Sequence, residues 1–172
     1  MPLNVEIKAR CKNPVLVRAV LAALESDHIG MDHQVDTYFN VPEGRLKIRT
    51  GDIENALIHY SRADGDGPKT SRVTLYPTSE GEALRDILTK ALGVKAVVDK
   101  VRDIHFIGNV KFHIDSVAGL GDFVEIEVID RHGDLPHDEM VATCEKYMKA
   151  LDIEQGDLVS DSYSDQIIRM SR

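Results

Sequence analysis

The stretch RLKIR, Arg45 to Arg49, puts three cations on one side of an extended chain and two aliphatic residues on the other. Strand side chains alternate, so Arg45, Lys47 and Arg49 share a face opposite Leu46 and Ile48. Like charges at direct spacing repel unless something anionic lies between them. The pattern recurs along the chain. Asn4, Glu6, Lys8 and Arg10 alternate with Val5, Ile7 and Ala9; Tyr60 shares a face with Arg62, and Lys100 with Arg102. Lys111, His113 and Asp115 lie opposite Phe112 and Ile114, and Glu125 and Glu127 project together from FVEIEV. A sheet with one wet face explains any single strand of this kind. For the whole set, three expected helices decide otherwise. Their apolar stripes need an apolar surface, which the strands offer if the helices pack outside and the charged faces point inward.

The helices are expected after Asn13-Pro14 (stripe Leu16, Val20, Leu24), over SEGEALRDILTKALG, and from near Pro136 (Val141, Cys144, Met148, Leu151). In the second, Ser79 and Glu82 read as a capping box, Leu84, Ile87, Leu88 and Ala91 as the stripe, and Gly93 as the stop. Strands are expected at 3–11, 34–40, 45–50, 55–63, 69–76, 96–107, 110–118 and 123–130, with a further one at 162–169. Turn chemistry separates them at Pro42-Glu43-Gly44, Asp64-Gly65-Asp66-Gly67-Pro68, Gly108-Asn109 and Gly119-Leu120-Gly121. The expected fold is therefore α+β: an eight-stranded antiparallel β-barrel with helices packed outside, as one domain over 1–172.

A dry interior lined with charge is costly. A wet one that holds a polyanion is not: Lys and Arg neutralise phosphate oxygens, Arg by two-pronged hydrogen bonds. Carboxylates at i, i+2, as at Glu125 and Glu127, suit a hard divalent cation, Mg²⁺ or Mn²⁺, that bridges to those phosphates. The mixture predicts a metal–polyphosphate ligand. A formal net charge of -8 argues against a nucleic-acid surface. No apolar run approaches the ~20 residues of a membrane span. Two cysteines without CxxC spacing, Cys11 and Cys144, point to reduced thiols and a cytoplasmic location.

These residues, taken in order, resemble a known family. VEIKAR is similar to the ExExK signature of the CYTH superfamily, the triphosphate tunnel metalloenzymes. QVDTYFNVPEGRLKIR, IHYSRAD with KTSR, VDKVRDIHFIGNVKFHIDSVAGLGDFVEIEV and SDSYSDQI resemble the family's later blocks, covering essentially the full chain. The resemblance implies a tunnel that binds a triphosphate with one or two divalent metals. GLGDFVEIEV and the SYSD tail look most like the class IV adenylate cyclases, which convert ATP to cyclic AMP and pyrophosphate. The alternatives are a triphosphatase acting on inorganic triphosphate, thiamine triphosphate or a nucleotide, and a non-catalytic polyphosphate binder. Carried over by position, Glu6, Glu125 and Glu127 are metal ligands. Lys8, Arg45, Lys47, Arg49, Arg62, Arg72, Lys100, Arg102 and Lys111 contact substrate. Lys8, Arg62, Lys111 and Asp115 are the catalytic candidates. The implied partner is a nucleoside triphosphate or other triphosphate, with neither nucleic acid nor membrane, and a homodimer is compatible with it. Asn4 stands where the family has its first glutamate and brings no charge, which weakens one metal subsite.

Other features read as scaffold. His113 is expected as a hydrogen-bonded wall residue, and His28, His33, His59, His105, His132 and His137 as forming no ligand cluster. Arg72 is preferred over Ser71 as the inward side chain of its strand. Tyr38 and Tyr60 suit the wall.

Overall fold

The computed structural model describes residues 3–62 and 67–172, with the Arg62 side chain also left undescribed. Most of the turn expected from Asp64 lies outside the described residues. Eight strands close into an antiparallel barrel: β1 (Leu3–Arg10), β2 (Asp27–Phe39), β3 (Arg45–Gly51), β4 (Ala56–Arg62), β5 (Lys69–Pro77), β6 (Val94–Ile107), β7 (Val110–Val117) and β8 (Gly121–Asp130). Their order around the barrel is β1-β5-β4-β3-β2-β6-β7-β8. Three helices lie where the stripes placed them: α1 (Pro14–Ala23), α2 (Gly81–Leu92) and α3 (His137–Ala150).

Pro14 opens α1 behind Asn13, whose side chain accepts from the Leu16 amide at 3.1 Å. Its buried residues are Val17 and Leu21, whereas Leu16 and Leu24 are exposed. The expected stripe was thus one position out of phase. Below α1 and α3 lie Val5, Ile7, Ala9, Phe112, Ile114, Val124 and Ile126, the outward face of β1, β7 and β8. Met140, Cys144, Met148 and Leu151 of the α3 side complete this core. Each fully buried aliphatic there, Leu21 or Ile126 for example, contributes about 1.5–3 kcal/mol. In α2 the capping box does not form. Thr78 Oγ1 instead accepts from the Glu80 amide at 3.0 Å, and Ile87 and Ala91 of the stripe are exposed. Gly93 ends α2 with φ +75°, as its position suggested.

One element differs in kind. Residues expected as a strand at 162–169 form helix α4 (Tyr163–Met170). Ser162 and Asp165 make a reciprocal capping box that starts it. No strand partner was left for this segment, because the eight others already close on themselves. The chain reaches α4 along a seam. β1 pairs with β5 only from Leu3 to Glu6. Beyond that, Val159 donates its amide to the Lys8 carbonyl at 2.9 Å, and the Lys69 ammonium reaches the Ser160 carbonyl. α4 then lies across that end of the barrel, its Tyr163 packed with Tyr38, Val98 and Phe123.

Candidate functional site

The inward faces enclose a cavity of about 600 Å³. Among the described residues, seven cationic side chains and four carboxylates line it, so the wall is cationic in an acidic protein. Glu6, Lys8, Lys47, Arg49, Lys100, Arg102, Lys111, Glu125 and Glu127 all reach it. Three expected residues stand elsewhere. Arg72 is exposed on the outer face of β5, and Ser71 lines the cavity in its place. The two are adjacent on a strand, so only one can point in. Arg45 sits at the α4 end, half-buried, paired with Asp165 at 2.8 Å. Asp115 lies behind the wall, where it accepts two hydrogen bonds from Arg102 (2.7 and 2.6 Å) and one from the Tyr163 hydroxyl (2.8 Å). The Arg62 side chain lies outside the described residues.

The anion that separates the like charges of β3 is part of the protein. Asp36 is fully buried and accepts from Lys47 (2.7 Å), from Arg49 through two nitrogens (2.8 and 2.9 Å) and from Lys100 (3.1 Å). Against the effect of burial, Arg49, Lys100 and Lys47 hold its carboxyl well below the usual range. One carboxylate cannot satisfy three cations. Burial and then Arg102 push Lys100 down to about 7. A polyanion in the cavity would relieve that amine.

Glu125 is likewise a hub: Lys8 lies 3.2 Å away, Arg102 3.0 Å and His113 Nδ1 3.0 Å. Against burial, Lys8 and Arg102 hold it well below the usual range. Burial and Arg102 push His113 down to about 3. A neutral His113 that donates from Nδ1 to Glu125 leaves Nε2 as a bare acceptor, and that atom has no hydrogen-bond partner.

Glu127 behaves in the opposite way. It is directly across from Glu6 in the β1–β8 register, and burial and Glu6 push it up to about 7. Asn4 Nδ2 donates to its Oε1 at 2.6 Å. Two crowded carboxylates, one kept partly protonated, are a donor set that a hard divalent cation fits. Glu125, already committed to three cationic or hydrogen-bonding partners, is less free to serve.

Sequence reasoning missed several contributors. Asp32 accepts the Ile53 and Glu54 amides (2.8 and 2.9 Å) and so pins the turn between β3 and β4. That turn delivers Glu54 to Arg49 at 3.0 Å and to Lys111. Asp32, Gln34 and Asp36 follow the period-two pattern along β2, which starts at Asp27 rather than at 34, so the signal was there to read. The mouth opposite α4 is largely apolar: Ile53, Val73, Leu75, Phe106 and Ile129 line it, and Arg131 is also in the cavity lining. The histidines also meet in one place after all, His28 and His105 beside Asp103 on the outside of the barrel.

Comparison with known proteins gives the same architecture a lineage. The family model described as CYTH domain matches residues 2–163. A Methanocaldococcus jannaschii protein named as a candidate adenylate cyclase is 28% identical over 178 residues, 94% of this chain and 96% of its own. A solved Pyrococcus horikoshii structure superposes with a TM-score of 0.80 at 22% identity, covering 95% of this chain and 99% of that one. A Hippeastrum protein, named as a candidate adenylyl cyclase whose structure is described as revealing a dominant triphosphatase activity, superposes with a TM-score of 0.61 at 14% identity. It covers 98% of this chain and 96% of its own.

Proposed function

We propose that this chain, which belongs to the CYTH domain family, is a divalent-metal-dependent class IV adenylate cyclase that converts ATP to cyclic AMP and pyrophosphate. The observation that carries this reading is the division of the cavity. Its deep part is cationic, and its mouth is largely apolar, with Phe106 in the lining. Inorganic triphosphate has no group for such a mouth, whereas a nucleoside triphosphate places its base there and its phosphates below. The name of the Methanocaldococcus jannaschii relative agrees.

In this reading Lys8, Lys47, Lys100, Arg102 and Lys111 hold the phosphate chain, Arg102 kept in place by Asp115. Holding the chain extended aligns the α-phosphorus for in-line attack by the ribose 3'-hydroxyl. The cations stabilise the charge that builds on the departing pyrophosphate. Glu6 and Glu127, with the Asn4 carbonyl, are the residues that would hold Mg²⁺ or Mn²⁺, which supplies charge stabilisation on the phosphate oxygens. Glu125 orients Lys8, Arg102 and His113. Arg62 remains a candidate contact by its place in the family pattern.

The second reading, triphosphate hydrolysis with water as nucleophile, uses the same wall, and the dominant triphosphatase activity described for the Hippeastrum protein favours it. Incubation with ATP, tripolyphosphate or thiamine triphosphate plus Mg²⁺ or Mn²⁺, with product identification, separates the two. Cyclic AMP and pyrophosphate from ATP are expected. Orthophosphate from every substrate, without cyclic AMP, would replace the cyclase by the triphosphatase.

A further inference from the structure

We propose that His28, Asp103 and His105 form a zinc-class metal site on the outer wall of the barrel, separate from the tunnel. His28 and His105 are direct register partners on β2 and β6, and Asp103 shares the face of His105 two residues earlier. Arg102 lines the cavity, so its neighbour Asp103 points away from it. Simple alternation would put His28 on the inner face with Asp32. The pairing shifts between His28 and Gly30, with Gly30 at φ +144°, and this bulge turns His28 outward to meet His105.

The donor atoms are close to a coordination sphere. His28 Nε2 lies 2.7 Å and His105 Nε2 3.3 Å from Asp103 Oδ1, and one donor from each residue falls within 4.8 Å of the others. A tetrahedral ion with bonds of about 2.0–2.2 Å separates its donors by about 3.3 Å. His105 is buried, and its Nε2, 3.3 Å from Asp103 Oδ1, is not aligned for a hydrogen bond there and has no other partner among the described residues. An orphaned buried acceptor is unfavourable unless something takes its lone pair.

The surroundings fix the donors as an outer shell does. Ser26 Oγ lies 3.1 Å from His105 Nδ1, so an Nδ1–H donated to the serine leaves the Nε2 lone pair facing Asp103 and His28. Arg18 Nε occupies the other oxygen, Asp103 Oδ2, at 2.7 Å, which leaves Oδ1 turned to the histidines. Two imidazoles and one carboxylate are a borderline donor set that prefers Zn²⁺ to Mg²⁺. His28 is exposed, so water completes the fourth position. A bound ion would tie the corner between α1 and β2 to β6.

Zinc titration of the full chain against a chromophoric chelator tests the site, with His28→Ala and Glu6→Gln/Glu127→Gln as variants. His28 is exposed, so its replacement does not threaten folding, which circular dichroism verifies. The expected result is one zinc site that persists in the tunnel variant and weakens by about tenfold or more in His28→Ala, at least what loss of an outer-shell partner removes. Zinc should also shift the ring resonances of His28 and His105. Equal zinc affinity in wild type and His28→Ala, loss of the site in the tunnel variant alone, or no zinc binding by the wild type would each overturn the proposal.

Discussion

A carboxyl that stays protonated near neutral pH needs a reason to be kept, and at Glu127 the reason offered is a metal. Its folded value is about 7 against an ordinary 4.5, so between these pH values the folded chain binds more protons than the unfolded one. Stability therefore falls as pH rises from 4.5 through 7. Glu127→Gln keeps an acceptor for Asn4 and removes the charge. It should be more stable than wild type above pH 7 and equal to it well below 4.5, as read by urea denaturation across that range, while losing metal-dependent activity. A variant less stable at pH 8 would show that the carboxylate is satisfied without metal. Lys100 has the reverse sign. Its folded value is about 7 against 10.5, so stability attributable to it increases as pH rises from 7 to 10.5. Lys100→Met should be more stable than wild type at pH 7, and that advantage should shrink toward pH 10.5. Asp36 keeps Lys47 and Arg49 in that variant. Alternation alone placed Glu127 and Lys100 inside. It could not show their partners, because Asn4 reaches Glu127 and Asp36 reaches Lys100 from strands distant in sequence.

At the scale of elements, legibility depended on which signal was weighed. The inward faces of β1, β3, β6, β7 and β8 followed from period two. Arg72 failed because two adjacent polar residues leave the phase of β5 ambiguous, and closing the barrel resolves it. α4 failed because 162–169 was expected as a strand, although Ser162 and Asp165 carry a helix-start pattern. The histidine cluster depends on a bulge and on contacts across 75 residues or more, which no local pattern carries. α4 is anchored through the Tyr163 hydroxyl on Asp115 and through Arg45 on Asp165. Tyr163→Phe should cost about 1.5–3 kcal/mol, the range for a hydrogen bond to a charged group, measured as a shift in urea midpoint at unchanged slope. No loss would mean that Arg102 alone satisfies Asp115.

For the whole molecule, the wall's cations are held in place by buried acids, so their removal has two kinds of outcome. Arg102 spans Asp115 and Glu125, and Arg102→Ala leaves Asp115 buried with the Tyr163 hydroxyl but no cation bonded to it, while Glu125 keeps Lys8 and His113, a loss of about 3–5 kcal/mol. Lys100 is the cleaner probe of ligand. Tripolyphosphate should stabilise the wild type by about 2.7 kcal/mol at a hundredfold excess over its Kd, well beyond chloride at equal ionic strength. Lys100→Met should diminish that gain, as read by thermal melts. An undiminished gain would place the polyanion elsewhere. The helix across one end carries a kinetic corollary. If the phosphate chain enters from the apolar mouth and lodges toward α4, it must go in first and come out last. Cyclic AMP then departs before pyrophosphate. In steady-state kinetics pyrophosphate should inhibit competitively with ATP, because it binds the free enzyme, and cyclic AMP noncompetitively. The opposite pairing would mean that the barrel drains from both ends.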